Sequence, residues 1–106
     1  MPCAPLTPAV FHVLLALSGG ERHGYAILKE ILRLTGGRVR MQAGTLYGTL
    51  QRLLEADLVE EVAVSKRIAA TDSRRRYYRL TRAGRGVLDD EVERMASLVR
   101  VARTLS

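Results

Sequence analysis

The sequence predicts a mainly α-helical fold with one small β-hairpin, and three observations predict it. Apolar residues recur at helical spacing in four segments, β-branched residues cluster near residue 60, and 47% of the 106 residues are hydrophobic. The first observation predicts four helices and the second predicts a hairpin. A chain of this length and composition buries one modest core, so we expect one compact unit.

The first two helices have clear start and stop signals. Thr7-Pro8 is typical of a helix start, with threonine as the N-cap and proline at the first helical position. The following residues are apolar on nearly every side up to Ser18, so this helix is expected to be buried. A second helix is expected from about Gly24 to Leu34, ended by Gly36-Gly37. Residues 38–41 are too few for more than a short strand or turn.

The third helix is expected over about Ala43 to Ala56, with a stripe of leucines at spacings of three and four. At about 100° per residue this stripe leaves a definite outer face. Two glycines on an exposed helix cost about 1 kcal/mol each relative to alanine, so they predict that the face lies close against another surface. The outer face holds Gly44, Thr45, Gly48, Gln51, Arg52 and Glu55, with Tyr47 and Thr49 on its flanks.

After Leu58 the pattern becomes extended. Val59, Val62 and Val64 are β-branched, and a second extended run covers Arg76 to Leu80, which together predict a hairpin with a long tip. Successive strand residues point to opposite faces, so one of the adjacent tyrosines 77 and 78 is expected in the core.

Positive charge is concentrated on this hairpin and the turn after it. The formal net charge of the chain is +6, which points to a polyanionic partner or an acidic membrane surface. Like charges so close together repel one another unless a partner neutralises them, although a solvated face is the alternative. Between residues 66 and 85 the single acid Asp72 is set against Lys66, Arg67, Arg74, Arg75, Arg76, Arg79, Arg82 and Arg85.

A last helix is expected after its cap Thr81. Its apolar residues recur at spacings of four and three, the pattern of a helix that packs on another helix. In so short a chain the obvious partner is a second subunit, so we expect a homodimer. The dimerisation seam consists of Leu88, Val92, Met95, Val99 and Ala102.

Composition excludes several other classes. The single cysteine, Cys3, makes no internal disulfide and is too little for a metal cluster, which indicates a cytoplasmic protein. The apolar stretch Ala9 to Leu17 follows no basic residue and is shorter than the roughly 20 residues that cross a bilayer, so no membrane association is expected. Two scattered histidines, no paired carboxylates and no phosphate-binding loop predict neither an enzyme nor a cofactor.

The order of helices and hairpin is that of a winged helix-turn-helix, and from about Leu6 to Ala102 the chain resembles the PadR-like transcriptional regulators. Two features depart from the family pattern: Gln42-Ala43 replaces a frequent serine cap and proline, and the short C-terminal part resembles the subgroup with a single dimerisation helix. The resemblance rests on Leu14-Leu15-Ala16-Leu17, His23-Gly24-Tyr25, Gly36-Gly37-Arg38-Val39-Arg40, Gly44-Thr45-Leu46-Tyr47-Gly48 with Leu50 and Arg52-Leu53, and Arg75-Arg76-Tyr77-Tyr78-Arg79-Leu80-Thr81 with Gly84-Arg85.

The resemblance implies a dimeric repressor of transcription, of a kind often relieved by small molecules. Residues 1–81 would form the winged helix-turn-helix DNA-binding domain and residues 82–106 the dimerisation helix. The expected partners are double-stranded DNA, a second copy of the chain and a small-molecule effector. The rival interpretation is a winged-helix module that binds an acidic protein.

In the DNA-binding interpretation the third helix lies in the major groove. Thr45, Thr49, Gln51 and Arg52 would lie near base edges, while Gly44 and Gly48 would allow close approach and Tyr47 would bond a phosphate. The wing, comprising Lys66, Arg67, Arg74, Arg75 and Arg76, would contact the backbone or a minor groove. His23 and Tyr25 are candidate phosphate contacts, with Tyr25 packed inward as the alternative.

Overall fold

The computed structural model describes residues 5–62 and 76–105. The four predicted helices and both predicted strands are confirmed, and one further strand of two residues is present. The elements are α1 (Pro8–Leu17), β1 (Arg22–His23), α2 (Gly24–Leu34), α3 (Ala43–Glu55), β2 (Val59–Val62), β3 (Tyr77–Leu80) and α4 (Arg82–Leu105). Val64 and the tip of the wing lie outside the described residues.

Local capping explains where the helices begin. The hydroxyl of Thr7 accepts the Val10 N–H at 3.2 Å, which confirms the predicted cap of α1. Thr81 accepts the Gly84 N–H at 3.0 Å and so caps α4 in the same way. Gln42, which precedes α3, makes no side-chain capping bond, in agreement with its departure from the family pattern.

The sheet has three antiparallel strands in the order β1-β3-β2. Val59 pairs with Leu80 and Val62 with Tyr77, while Arg22 pairs with Tyr78 on the other edge of β3. Sequence patterning missed β1 because two residues have no measurable period. The residues between α2 and α3, which allowed a short strand or a turn, contain no strand.

The core is centred on α1, which packs against α2, α3, β3 and α4. Of the two tyrosines on β3, Tyr78 is buried and Tyr77 is half-buried, so the expectation of one core tyrosine is confirmed. The buried apolar residues are Val13, Leu14, Ala16, Leu17, Ile27, Ile31, Leu46, Leu50, Leu53, Val59, Tyr78 and Leu88.

The last helix differs from prediction in its first half. Leu88 was expected on the dimerisation seam but is 2% exposed and belongs to the core of its own chain, because α4 packs there on α1. Glu91, a carboxylate in the same half of α4, is 6% exposed and forms an ion pair with Arg94 at 2.8 Å. The bond from Arg94 lowers the pKa of Glu91 against the opposing effect of burial. From residue 97 to residue 105 every side chain of α4 is exposed.

Candidate nucleic-acid interface

The outer face of α3 is exposed as predicted: Gly44, Thr45, Gly48, Gln51 and Arg52 all lie at the surface. A Cβ atom added at either glycine would meet nothing within 4 Å. The fold therefore does not require glycine at these two positions, although glycine weakens a helix. Their smallness is useful only toward something outside the chain.

Thr49 was predicted to lie near base edges, and the structure corrects this prediction. Its side chain is fully buried, so it lies in the core and not on the outer face. The reason is geometric: Thr49 follows Leu46 by three positions and precedes Leu53 by four, which places it among the leucines of the buried stripe. Its hydroxyl accepts a long bond of 3.5 Å from Arg52.

The longer side chains of the outer face bond to near neighbours on α3. The Gln51 amide donates to the Glu55 carboxylate at 3.0 Å, and Arg52 bonds the Thr49 hydroxyl. Bonds of this kind between neighbours on an exposed helix contribute little to stability, so a ligand can replace them at low cost.

Tyr47 connects α3 to the start of α2. Its hydroxyl lies where a Cβ of residue 24 would be, and Gly24 is buried beneath it. Just over half of the Tyr47 side chain is nevertheless exposed. The Tyr47 hydroxyl therefore sits beside the amino end of α2, the end of a helix that attracts anions. The spacing of residues along the chain contains no signal for this contact between two helices.

His23 and Tyr25 lie at the same end of α2 but behave differently. The Nδ1 atom of His23 accepts the Ala26 N–H at 3.1 Å, so this ring serves as the N-cap of α2. Tyr25 is 61% exposed, and the alternative that it packs inward is therefore wrong. The two rings stack with centroids 6.4 Å apart. Lys29, which was not among the predicted site residues, lies over this ring, with its ammonium 5.4 Å from the Tyr25 ring centroid. The signal available in the sequence was its position four residues after Tyr25.

Of the predicted wing residues only Arg76 lies within the described part of the chain; Lys66, Arg67, Arg74 and Arg75 lie outside it. Arg76 pairs with Glu61 at 3.5 Å, and Arg79 pairs with Glu60 at 2.7 Å across the strands. The bond to Glu60 raises the pKa of Arg79. Part of the predicted positive charge is thus balanced by acids of β2, which precede the basic run in sequence and face it in the sheet.

The recognition and wing elements meet at one hollow of about 290 Å³ between α3 and the sheet. Gln51 of α3 and Arg76 at the base of the wing both line this hollow. The structure therefore places these two predicted site residues together, on the same side of the molecule as Tyr47. The hollow is lined by Tyr47, Leu50, Gln51, Leu54, Glu61, Arg76 and Tyr78.

A second exposed surface lies on the far half of α4. Of the predicted seam, Val92, Val99 and Ala102 are exposed and Met95 is half-buried. We call these residues, together with Leu98, Val101 and Leu105, the α4 apolar face; its three added members are all at least half exposed. Contiguous exposed apolar residues mark interaction sites more often than apolar residues exposed singly do.

Within residues 5–62 and 76–105 no cluster of histidine, cysteine or carboxylate side chains is arranged to hold a metal ion. None of the helices described there is long and apolar enough to span a bilayer.

Comparison with known proteins identifies one family. The model of the transcriptional regulator PadR-like family matches residues 13–90. The matched segment contains the second half of α1, all of α2, α3 and the sheet, and the first part of α4.

Individual proteins agree with this match. A transcriptional regulator of Mycobacterium tuberculosis is 36% identical over 89 residues, which cover 84% of this chain and 77% of that regulator. An uncharacterized 37.1 kDa protein in a transposon of Streptomyces fradiae is 41% identical over 86 residues, or 81% of this chain, but the match spans only 22% of that protein. The crystal structure of a PadR family transcription regulator from Clostridium difficile has the same fold, with a TM-score of 0.77 at 21% identity over 93% of this chain and 98% of that one.

Proposed function

Because this chain belongs to the PadR-like family of transcriptional regulators, a family of DNA-binding regulators and not of enzymes, we propose that it is a dimeric repressor that binds a palindromic operator. The observation that carries the proposal is the outer face of α3, where Gly44 and Gly48 have open space above them and no role in the fold. Removing the side chains at these positions lets a helix approach the floor of the major groove closely.

We assign the contacts in three groups. Thr45, Gln51 and Arg52 lie near base edges, where Arg52 suits guanine and Gln51 suits adenine. Tyr47, Tyr25 and Lys29 surround the amino end of α2 and bond phosphates. Arg76 leads into the wing, whose arginines contact the backbone or a minor groove.

Dimerisation through the α4 apolar face is the second part of the proposal. Half or more of the side-chain surface of Leu98, Val101 and Leu105 is exposed in the single chain. Pairing of two such helices buries this surface and gives two recognition helices related by a two-fold axis. A two-fold protein reads a palindrome whose half-sites are about 34–36 Å apart, or a multiple of that distance.

Selection from random duplexes tests the proposal directly. We expect an enriched palindrome, and binding to it should weaken with salt by a log–log slope of about −0.9 for each phosphate neutralised. Failure to enrich any palindrome would leave the rival interpretation, a module that binds an acidic protein. Relief by a small-molecule effector stays a prediction of the family resemblance, tested by adding ligands to the protein–operator complex.

Single substitutions separate the base contacts from the phosphate contacts. Arg52→Ala should relax the preference at one base position, whereas Lys29→Ala should weaken all duplexes alike and reduce the salt slope by about 1. Arg33→Ala is the matched control, since it removes one positive charge from the other end of α2, where Arg33 pairs with Glu30 at 2.8 Å. An equal loss in Lys29→Ala and Arg33→Ala would contradict the assignment of Lys29.

A further inference from the structure

We propose that Thr81 and Gly84 are positioning residues of operator recognition, because they join the end of α3 to the start of α4 in one fixed geometry. The joint consists of Asp57 and Leu58, which follow α3, and of residues 81–84. Its effect on half-site spacing rests on the function proposed above, whereas its effect on the angle between α3 and α4 does not.

Thr81 bonds both to the start of α4 and to the two residues that follow α3. Its backbone N–H donates to the Leu58 carbonyl at 3.1 Å. Its hydroxyl donates to the Asp57 carbonyl at 2.6 Å and accepts the Gly84 N–H at 3.0 Å. One side chain therefore caps α4 and holds the chain that leaves α3.

Gly84 makes the joint close. The residue is buried, and a Cβ atom there would collide with the carbonyl group of Leu58. The obstacle is backbone rather than the end of a flexible side chain, so it cannot move without displacing the joint itself. Two residues further along α4, a Cβ at Gly86 would meet nothing within 4 Å. Glycine at position 84 thus allows α4 to lie close to Leu58, and the helix itself does not require it.

The α3 side of the joint is equally constrained. Asp57 has φ 58°, the left-handed conformation in which many helices end and which aspartate adopts more readily than most side chains. The Leu58 N–H donates to the Leu53 carbonyl at 2.9 Å, which ties this turn back to the last turns of α3. This turn closes α3 through its own backbone bond, and the bonds from Thr81 to the Asp57 and Leu58 carbonyls attach the start of α4 to it.

When a connection between two helices is short and rigid, a rotation of one helix also rotates the other. The 24 residues of α4 extend about 36 Å at the rise of an α-helix, and the exposed end of α4 carries the apolar face. At its start α4 is also anchored to α1, because Arg85 donates to the Ser18 carbonyl at 3.0 Å. With the joint intact, the direction in which α4 meets a partner determines where α3 lies. In a dimer this sets the distance between the two recognition helices.

A distance measurement within one protomer tests the joint without DNA. Spin labels are placed at Gln51→Cys on α3 and Arg100→Cys on α4, in a Cys3→Ser chain diluted with excess unlabelled protein. We expect one narrow distance distribution in the parent and in the control Gly86→Ala, and a broader or shifted one in Gly84→Ala and Thr81→Val. Thr81→Ser keeps the hydroxyl and should restore the parent distribution. Identical distributions in all five proteins would overturn the proposal.

Binding to palindromes of varied half-site spacing tests the consequence. The parent and Gly86→Ala should prefer one spacing, whereas Gly84→Ala and Thr81→Val should lose at least tenfold in affinity at that spacing and less than threefold on an isolated half-site. Should Gly84→Ala not fold, the Thr81→Val and Thr81→Ser pair decides the outcome. Equal losses on half-sites and palindromes would show a merely structural role. If the parent protein selects no palindrome, the proposed function is refuted. The spin-label distances would still show whether Thr81 and Gly84 fix the geometry between α3 and α4.

Discussion

The Tyr47 hydroxyl on α3 occupies the space that a Cβ of residue 24 would need at the first position of α2. A larger residue at 24 would require the end of the Tyr47 side chain to move. The contact places an exposed hydroxyl at the amino end of α2. The same tyrosine therefore packs α3 against α2 and contributes to the proposed phosphate site.

Substituting Gly24 by alanine should therefore destabilise the fold. The obstacle is the end of a half-exposed side chain that can shift, so the free energy of unfolding measured in urea should fall by about 1 kcal/mol, the low end of the range for overpacking. In the Gly24→Ala background, Tyr47→Phe should recover part of the loss because it removes the colliding oxygen. A Gly24→Ala protein as stable as the parent would contradict the contact.

Gly48→Ala should have opposite effects on stability and on DNA binding. Alanine in a helix is favoured over glycine by about 1 kcal/mol, and the space above Gly48 is open, so the midpoint of thermal unfolding should rise. The added methyl group meets the floor of the groove in the complex, so operator affinity should fall at least tenfold. A variant that is more stable and binds DNA as well as the parent would argue against close approach of this face.

Glu91 should make stability depend on acid pH. Its carboxylate accepts bonds from Arg94 at 2.8 Å and 2.9 Å and from the Leu6 N–H at 3.2 Å, and the bond from Arg94 lowers its pKa from 4.5. A carboxyl whose pKa is lowered by folding stabilises the folded state above its ordinary pKa, and this contribution is lost as the pH falls through the lowered value.

Unfolding measured from pH 7 down to pH 3 checks this expectation. Below about pH 4.5 the stability difference between the parent and Glu91→Gln should shrink, and Glu93→Gln, a neighbour on the exposed side of α4, is the control. A stability difference that is the same at every pH would rule out the role of the charged form.

The two halves of α4 should respond differently to substitution. Leu88 lies in the core, so Leu88→Ala should lower the stability of the single chain by about 2–5 kcal/mol. Val99 is 48% exposed in the α4 apolar face, so Val99→Glu should weaken self-association with little effect on folding. Sedimentation and urea unfolding of both variants separate these outcomes. A parent protein that sediments as a monomer at micromolar concentration would refute the dimer.

Much of the site was predictable because it depends on local periodicity. The caps Thr7 and Thr81, the extent of α3 and the exposure of Gln51 and Arg52 follow from residues within a few positions of one another. The misplaced residues lie where two elements meet. Thr49 and Leu88 occupy positions at which the width of a buried stripe is decided by the neighbouring element.

By itself the sequence determined the order of helices and strands, the outer face of α3 and the family to which the chain belongs. Only the tertiary structure decided which glycines have a neighbour in the space that a side chain would fill, and Gly24 and Gly84 differ in this respect from Gly44 and Gly48. The first two lie against Tyr47 and the Leu58 carbonyl, and the last two face open space. That difference arises from what lies opposite each residue after folding, and elements distant in sequence supply it.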